Sequence, residues 1–159
     1  MTALLNSTLC YLERDGQYLM LHRVKKQHDL NQGKWIGVGG KFLEGESPVQ
    51  CLLREVFEET GLSLSEFRFR GLVTFVSNEA PAEYMFLFTA SQWSGELHDC
   101  SEGVLQWVDK ARVPELNLWE GDRIFLQYLD EDRPFFFLTL RYHGDQLMEA
   151  SLENSPPVN

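Results

Sequence analysis

Three glutamates, Glu55, Glu58 and Glu59, stand at positions i, i+3 and i+4 of one short stretch. On an α-helix that spacing gathers all three carboxylates on one face. Like charges so crowded repel one another. A hard divalent cation turns the repulsion into attraction, because magnesium prefers carboxylate oxygens and keeps several of its waters. Such a cation suits hydrolysis of a phosphoric anhydride, which needs an in-line water, positive charge on the phosphate oxygens and a base for the water. The competing account is a solvated acidic helix face, the usual fate of an isolated Glu-x-x-Glu-Glu. The surrounding residues must decide between them.

The helix itself is clearly marked. Ser47 can cap it, Pro48 fits the first helical position, and Gln50 stands three residues after the cap as in a capping box. Val49, Leu52, Leu53 and Val56 form the expected apolar face, and Gly61 stands where a left-handed residue usually ends a helix. Before it, Trp35 to Val38 reads as a brief strand running into a turn at Gly39-Gly40. The chain opens with strand-like runs at Ser7 to Leu12 and Tyr18 to His22, joined across Asp15-Gly16 as a hairpin, and Val24 to Lys34 reads as a polar loop. Further strands are expected at Phe67 to Val76, Tyr84 to Ala90 and Val104 to Val108, and a closing hairpin at Phe135 to Tyr142 and Gln146 to Leu152. Glu120 to Leu129 has helical periodicity, with Ile124, Phe125 and Tyr128 on one side. Two helices covering a mixed sheet make an α/β sandwich.

From Gly40 the spacing runs Gly, five residues, Glu46, seven residues, Arg54-Glu55-Val56, one residue, Glu58-Glu59, one residue, Gly61-Leu62. Chance agreement with such a pattern at a given start is on the order of 10⁻⁹ to 10⁻¹⁰ from average residue frequencies. The stretch GGKFLEGESPVQCLLREVFEETGL resembles the Nudix box at every fixed position. The resemblance implies the Nudix fold, an α/β/α sandwich with a mixed β-sheet and a loop–helix–loop, and a Mg2+-dependent pyrophosphohydrolase in which Mn2+ can substitute. It further implies that Glu55, Glu58, Glu59 and the carbonyl of Gly39 bind metal. Arg54 can pair with Glu46 across the loop–helix junction and align the carboxylates, with a plain surface ion pair as the other reading. Glu58 or Glu59 could orient the water. A fourth carboxylate from a later loop is common in the family, and Glu102 is the candidate as metal ligand or base, with Glu96 and Asp99 as neighbours.

The likeness extends from about Leu4 to Leu152. Gly33 to Lys41 and Leu118-Trp119-Glu120-Gly121-Asp122 look like the MutT-type 8-oxo-dGTP diphosphatases, in particular the animal enzymes that hydrolyse oxidised purine nucleoside triphosphates. That likeness implies that Trp119 stacks on the purine and Asp122 hydrogen-bonds its edge, an indole face being worth about 1–3 kcal/mol of stacking. Ordinary core packing for Trp119 and a helix-dipole role for Asp122 are the alternatives. Arg23, Lys41, Gly40 and Ile36 are further candidates for substrate contact; Lys25, Lys26 and Lys34 are equally well read as solvated loop lysines. Ile36 stands where the animal enzymes carry an asparagine, and Gly121 replaces the first of two adjacent acids. Both departures loosen selection of the base. The expected reaction is therefore hydrolysis of a purine nucleoside triphosphate to the monophosphate and pyrophosphate, with 8-oxo-dGTP favoured, sanitising the nucleotide pool and limiting mutation as a form of DNA repair. Broad-specificity cleavage of nucleoside triphosphates or other diphosphates, and a nucleotide sensor without turnover, stand as alternatives.

The whole chain sets the outer bounds. Its 159 residues suit one domain over residues 1–153, followed by a frayed tail at 154–159. A formal net charge of -10 disfavours tracking of long nucleic acid, because there is little basic surface to release counterions. Cys10, Cys51 and Cys100 form no CxxC pair, so neither a zinc site nor a disulfide framework is expected. No apolar run approaches the length needed to span a bilayer, and a cytoplasmic location is the expectation. A small nucleotide is the expected partner, for a monomer or a homodimer.

Overall fold

The computed structural model describes residues 4–153; the expected tail at 154–159 lies outside them. In chain order the elements are β1 (Leu5–Arg14), β2 (Gln17–His22), β3 (Trp35–Ile36), β4 (Val38–Lys41), α1 (Pro48–Thr60), β5 (Ser63–Ser77), β6 (Glu83–Ser94), β7 (Val104–Asp109), a single 3-10 turn (Val113–Glu115), α2 (Glu120–Asp130), β8 (Phe136–His143) and β9 (Gln146–Glu153).

β1 lies between β4, antiparallel, and β6, parallel, and the sheet continues through β5 and β8 to β9. β2, β3 and β7 form a second, antiparallel group. The two groups join at the β1–β2 hairpin, where Asp15 (φ 50°) and Gly16 (φ 75°) make the tight turn and Arg14 pairs with Gln17. Alternation along β1 divides the core. Leu9 and Tyr11 face one side, packing with Phe125, Leu126 and Leu129 of α2, whereas Cys10 and Leu12 face the other with Leu52 and Val56 of α1. The helices therefore cover opposite faces, giving the expected α/β/α sandwich.

Two details differ from the sequence-based expectation. Trp35 to Val38 is not one strand leading into a turn. The chain breaks at Gly37 because Ile36 pairs with Leu21 of β2 while Val38 pairs with Cys10 of β1, and both Gly39 and Gly40 lie inside β4. At Gly37 there is no room for a side chain: a Cβ would stand 2.7 Å from the Cys10 carbonyl oxygen. Secondly, α1 has the expected capping box, Ser47 accepting from Gln50 N–H and the Gln50 side chain from Ser47 N–H, but its apolar face is rotated. Val49 and Leu53 are 41% and 37% exposed, and the buried residues are Cys51, Leu52, Val56, Glu59 and Thr60. An apolar periodicity does not distinguish a stripe centred on Leu52 and Leu53 from one turned inward toward Glu59.

Gly61 closes α1 with φ 82°, its N–H bonded to Phe57 O at 2.8 Å. A Cβ there would meet Glu96 O and His98 Cδ2, each at 2.7 Å, whereas Gly45 (φ 78°) has open space around it. In urea titrations Gly45→Ala is expected to cost roughly 1 kcal/mol from backbone conformation alone, and Gly61→Ala roughly 2–4 kcal/mol because overlap is added. Equal losses would show that the Gly61 contact is not restrictive.

Candidate active site

The site grows from β4 and α1, which pack together. Gly39 N–H donates to Glu59 Oε2 at 2.7 Å, tying the last turn of the helix to the strand. Gly40 lies beneath Glu55, and a Cβ on Gly40 would stand 2.5 Å from Glu55 Oε2. The two glycines thus let a helix carboxylate approach the strand backbone closely.

Arg54 forms a hub on the outer side. Its Nε and Nη2 donate to the two oxygens of Glu46 at 2.7 and 2.9 Å, and its Nη1 reaches Glu55 at 2.7 Å and Glu58 at 3.1 Å. Nη2 also donates to the Lys41 carbonyl, and Leu43 N–H donates to Glu46. This two-pronged ion pair holds the Glu46 carboxyl down to about 2. It fastens the loop before α1 to the helix and aligns two of the three carboxylates.

Glu59 lies apart from that hub, 7% exposed. Burial pushes its carboxyl up to about 9; the Gly39 amide opposes the shift, and the nearby Glu102 and Glu55 carboxylates add to it. A buried carboxyl facing two others calls for a proton or a cation, and an all-oxygen donor set favours a hard divalent ion such as Mg2+ or Mn2+. The residues therefore fit the metal. Among the described residues, however, no three Asp, Glu, His or Cys side chains already converge as a cage. Glu55 and Glu58 lean on Arg54, with the Glu58 side chain 56% exposed.

Glu102, in the turn before β7, reaches the same place. Its Oε2 accepts from Arg23 Nη1 at 3.0 Å and its Oε1 lies 3.8 Å from Lys26. Glu96 and Asp99 precede it in the same loop, and of the three acids Glu102 is the one that acts on Glu59. Arg23, named as a phosphate contact, is committed to two carboxylates, Glu102 and Asp29 (2.7 Å). Of the loop lysines, Lys25 bonds Cys100 O and Lys34 bonds Asn117.

A cavity of about 760 Å³ opens beside these groups; Arg23, Gly39, Gly40, Lys41, Glu55 and Glu102 line one part of it. Ile36, Trp119 and Asp122 also line it. Asp122 is 3% exposed, and its carboxyl makes no protein hydrogen bond among the described residues; burial pushes it up to about 8, with Lys34 pulling the other way. The Trp119 ring has Lys34 Nζ 4.9 Å from its centroid, and Tyr142 meets it edge-on at 5.5 Å. Tyr142 was not foreseen. Its hydroxyl accepts from Gly121 N–H at 2.8 Å and, with the Leu140 side chain, fills the space that a side chain at position 121 would need. Asp29 and Asn31, in the loop that reads only as polar, were also missed; no motif in the sequence marks them.

A NUDIX domain model matches residues 4–129. The chain belongs to the Nudix family. An uncharacterised Nudix hydrolase of Bacillus subtilis, YvcI, is 30% identical over 147 residues, 89% of each chain. The oxidized purine nucleoside triphosphate hydrolase of Danio rerio is 29% identical over 147 residues, 92% of each. The crystal structure of a MutT protein from Bacillus halodurans superposes with a TM-score of 0.84 at 26% identity, covering 96% of this chain and 99% of that one. This Nudix hydrolase is thus an enzyme of the family whose box it carries, with the mixed sheet and two helices of a MutT fold. Among its described residues no helix is long and apolar enough to cross a membrane.

The buried Asp122 of the hydrolase makes stability depend on pH. An unfolded aspartate titrates near 4, so between about pH 4 and 8 the folded protein holds a proton that the unfolded chain has released. Stability from this group falls as pH rises through that window and levels off above it. Asp122→Asn, neutral throughout, is expected to match the parent near pH 4 and exceed it progressively, by at most about 5 kcal/mol, near pH 8. A constant difference across the range in urea titrations would refute the burial effect.

Proposed function

We propose that this Nudix hydrolase cleaves a purine nucleoside triphosphate to the monophosphate and pyrophosphate, with 8-oxo-dGTP as the favoured substrate. One observation carries the reading: an indole and an unpartnered buried carboxyl, Trp119 and Asp122, share one cavity with Glu55, Glu102 and the Gly39-Gly40 strand. A cavity lined in this way suits a molecule with a flat base and a run of phosphates. The Danio rerio relative, named for oxidised purine nucleoside triphosphates, supports the same class.

Glu55, Glu58, Glu59, Glu102 and the Gly39 carbonyl are the groups that would hold Mg2+, which supplies positive charge at the phosphate oxygens and acidifies a water. Arg54 and Glu46 orient the helix carboxylates, Glu58 or Glu59 orients the attacking water, and Glu102 is the candidate from the later loop for metal ligand or base. At the other end the base stacks on Trp119. With its carboxyl at about 8, Asp122 is mostly protonated at neutral pH and offers one donor and one acceptor together. That pair complements O6 and the N7–H of an 8-oxopurine, whereas ordinary guanine presents two acceptors there. Removal of oxidised nucleotides before DNA synthesis, in a cytoplasm that keeps the three free cysteines reduced, is the corresponding role.

Ile36 and Gly121 favour a second reading, a broader nucleoside triphosphate diphosphatase, since neither side chain offers a polar contact to the base. Purified protein with Mg2+ and a panel of triphosphates separates the two. Preference for 8-oxo-dGTP over dGTP supports pool sanitation; equal turnover leaves only the broader activity. Chelation should abolish turnover, with Mg2+ or Mn2+ restoring it. Glu58→Gln is expected to lower kcat by at least ~10²-fold, and an unchanged rate would overturn the assignment of the helix carboxylates.

A further inference from the structure

The loop between β2 and β3 is held by a continuous hydrogen-bonded chain that runs from one end of the cavity to the other. Trp119 Nε1–H donates to Asn31 Oδ1 at 2.8 Å. Asn31 N–H donates to Asp29 Oδ1 at 3.1 Å, and Asp29 Oδ2 accepts from Arg23 Nε at 2.7 Å. Arg23 Nη1 in turn holds Glu102 at 3.0 Å, beside Glu59. Each oxygen of Asp29 therefore serves a different neighbour, and the Asp29 and Arg23 side chains are only 6% and 10% exposed.

The ends of the loop are closed as well. Arg23 N–H bonds Lys34 O and Gly33 N–H bonds Arg23 O, at 2.9 and 2.7 Å, while Lys25 N–H bonds Glu102 O at 3.2 Å. His28, just before Asp29, has φ 55°, a left-handed conformation uncommon for a residue other than glycine. Packing alone has no need of such an arrangement on a loop whose Val24 and Leu30 side chains are exposed. Its two polar anchors are the ring of the base platform and the carboxylate farthest in sequence from the box.

We propose that Asp29 and Asn31 are positioning residues that brace the nucleobase platform against the hydrolytic carboxylates: Asn31 sets the plane of Trp119, Asp29 sets Glu102 through Arg23, and the turn between them fixes the distance from base to scissile phosphate. The brace rests on the reading of Trp119 as the base platform. It explains why Arg23, although it lines the cavity, spends its guanidinium on two carboxylates. It also makes substrate affinity and chemical rate separable at two neighbouring residues. Loss of Asn31 frees the indole and weakens binding of the base, while loss of the Asp29 charge frees Arg23 and misplaces Glu102.

The test uses Asn31→Ala, Asn31→Asp and Asp29→Asn, each checked for cooperative unfolding, with two readouts. In steady-state kinetics with Mg2+ and 8-oxo-dGTP, Asn31→Ala is expected to raise KM about 10-fold with kcat within about threefold, and Asn31→Asp, which keeps the acceptor, to restore KM. Asp29→Asn is expected to lower kcat roughly 10- to 100-fold with little change in KM. The second readout is Trp119 emission, taken as the difference from the same variant carrying Trp119→Phe. It should move to shorter wavelength in Asn31→Ala and return in Asn31→Asp. Unchanged emission in Asn31→Ala, failure of Asn31→Asp to restore KM, or an equal fall of kcat and kcat/KM in all three variants would each overturn the brace. If the parent protein hydrolyses no nucleoside triphosphate, the substrate reading fails, and the emission readout by itself still decides whether Asn31 sets the indole. An unfolded Asp29→Asn leaves that decision to the Asn31 pair, which alters a half-buried side chain on the loop.

Discussion

The contact between the Glu59 carboxylate and the Gly39 amide is the constraint on which the rest of the site depends. A helix that buries a carboxyl in its last turn must give that carboxyl a donor, and the extended backbone of β4 supplies one at 2.7 Å. To reach it, α1 turns Glu59 inward and leaves Val49 and Leu53 at the surface. Apolar area is lost in this rotation, at roughly 25 cal/mol for each Å² left in water. The buried acid is also costly, as its displaced titration shows. Both costs are borne at one place, which is where a fold keeps a group for chemistry rather than for packing.

Around that contact the charges sort into two layers. Arg54 gathers Glu46, Glu55 and Glu58 around the start and outer turn of α1, and Arg23 gathers Asp29 and Glu102 between the β2–β3 loop and the turn before β7. Each arginine serves more than one carboxylate, a task that its planar fork performs and a lysine ammonium does not. The acidic surplus of the chain is thus organised locally instead of spread evenly. Glu55, Glu102 and Arg23 are the members of these two groups that also line the cavity, together with Asp29.

The opposite end of the cavity depends on the second helix. Asp122 is buried in the first turn of α2 beside the indole of its N-cap residue, Trp119. Tyr142 comes from β8, on the far side of the sheet order, and closes over Gly121. Leu140 and Tyr142, both from that strand, leave no room for a side chain at position 121.

Much of this was legible in the chain alone. The box spacing, the capping box at Ser47 and Gln50, the Asp15-Gly16 turn and the two helices on a mixed sheet are local or nearly local patterns, and backbone sterics and helical periodicity make such patterns readable. The grouping of Glu55, Glu58 and Glu59 on one helical face follows from spacing in the same way. Tertiary structure decided the rotation of α1, the division of Trp35 to Lys41 between two strand groups, the commitment of Arg23 to Asp29 and Glu102, and the arrival of Tyr142 at Gly121. These partners are separated by 79 residues for Arg23 and Glu102 and by 21 for Gly121 and Tyr142. No periodicity links such positions; only the folded sheet brings them within hydrogen-bonding distance, and only there does burial decide which charge needs a partner.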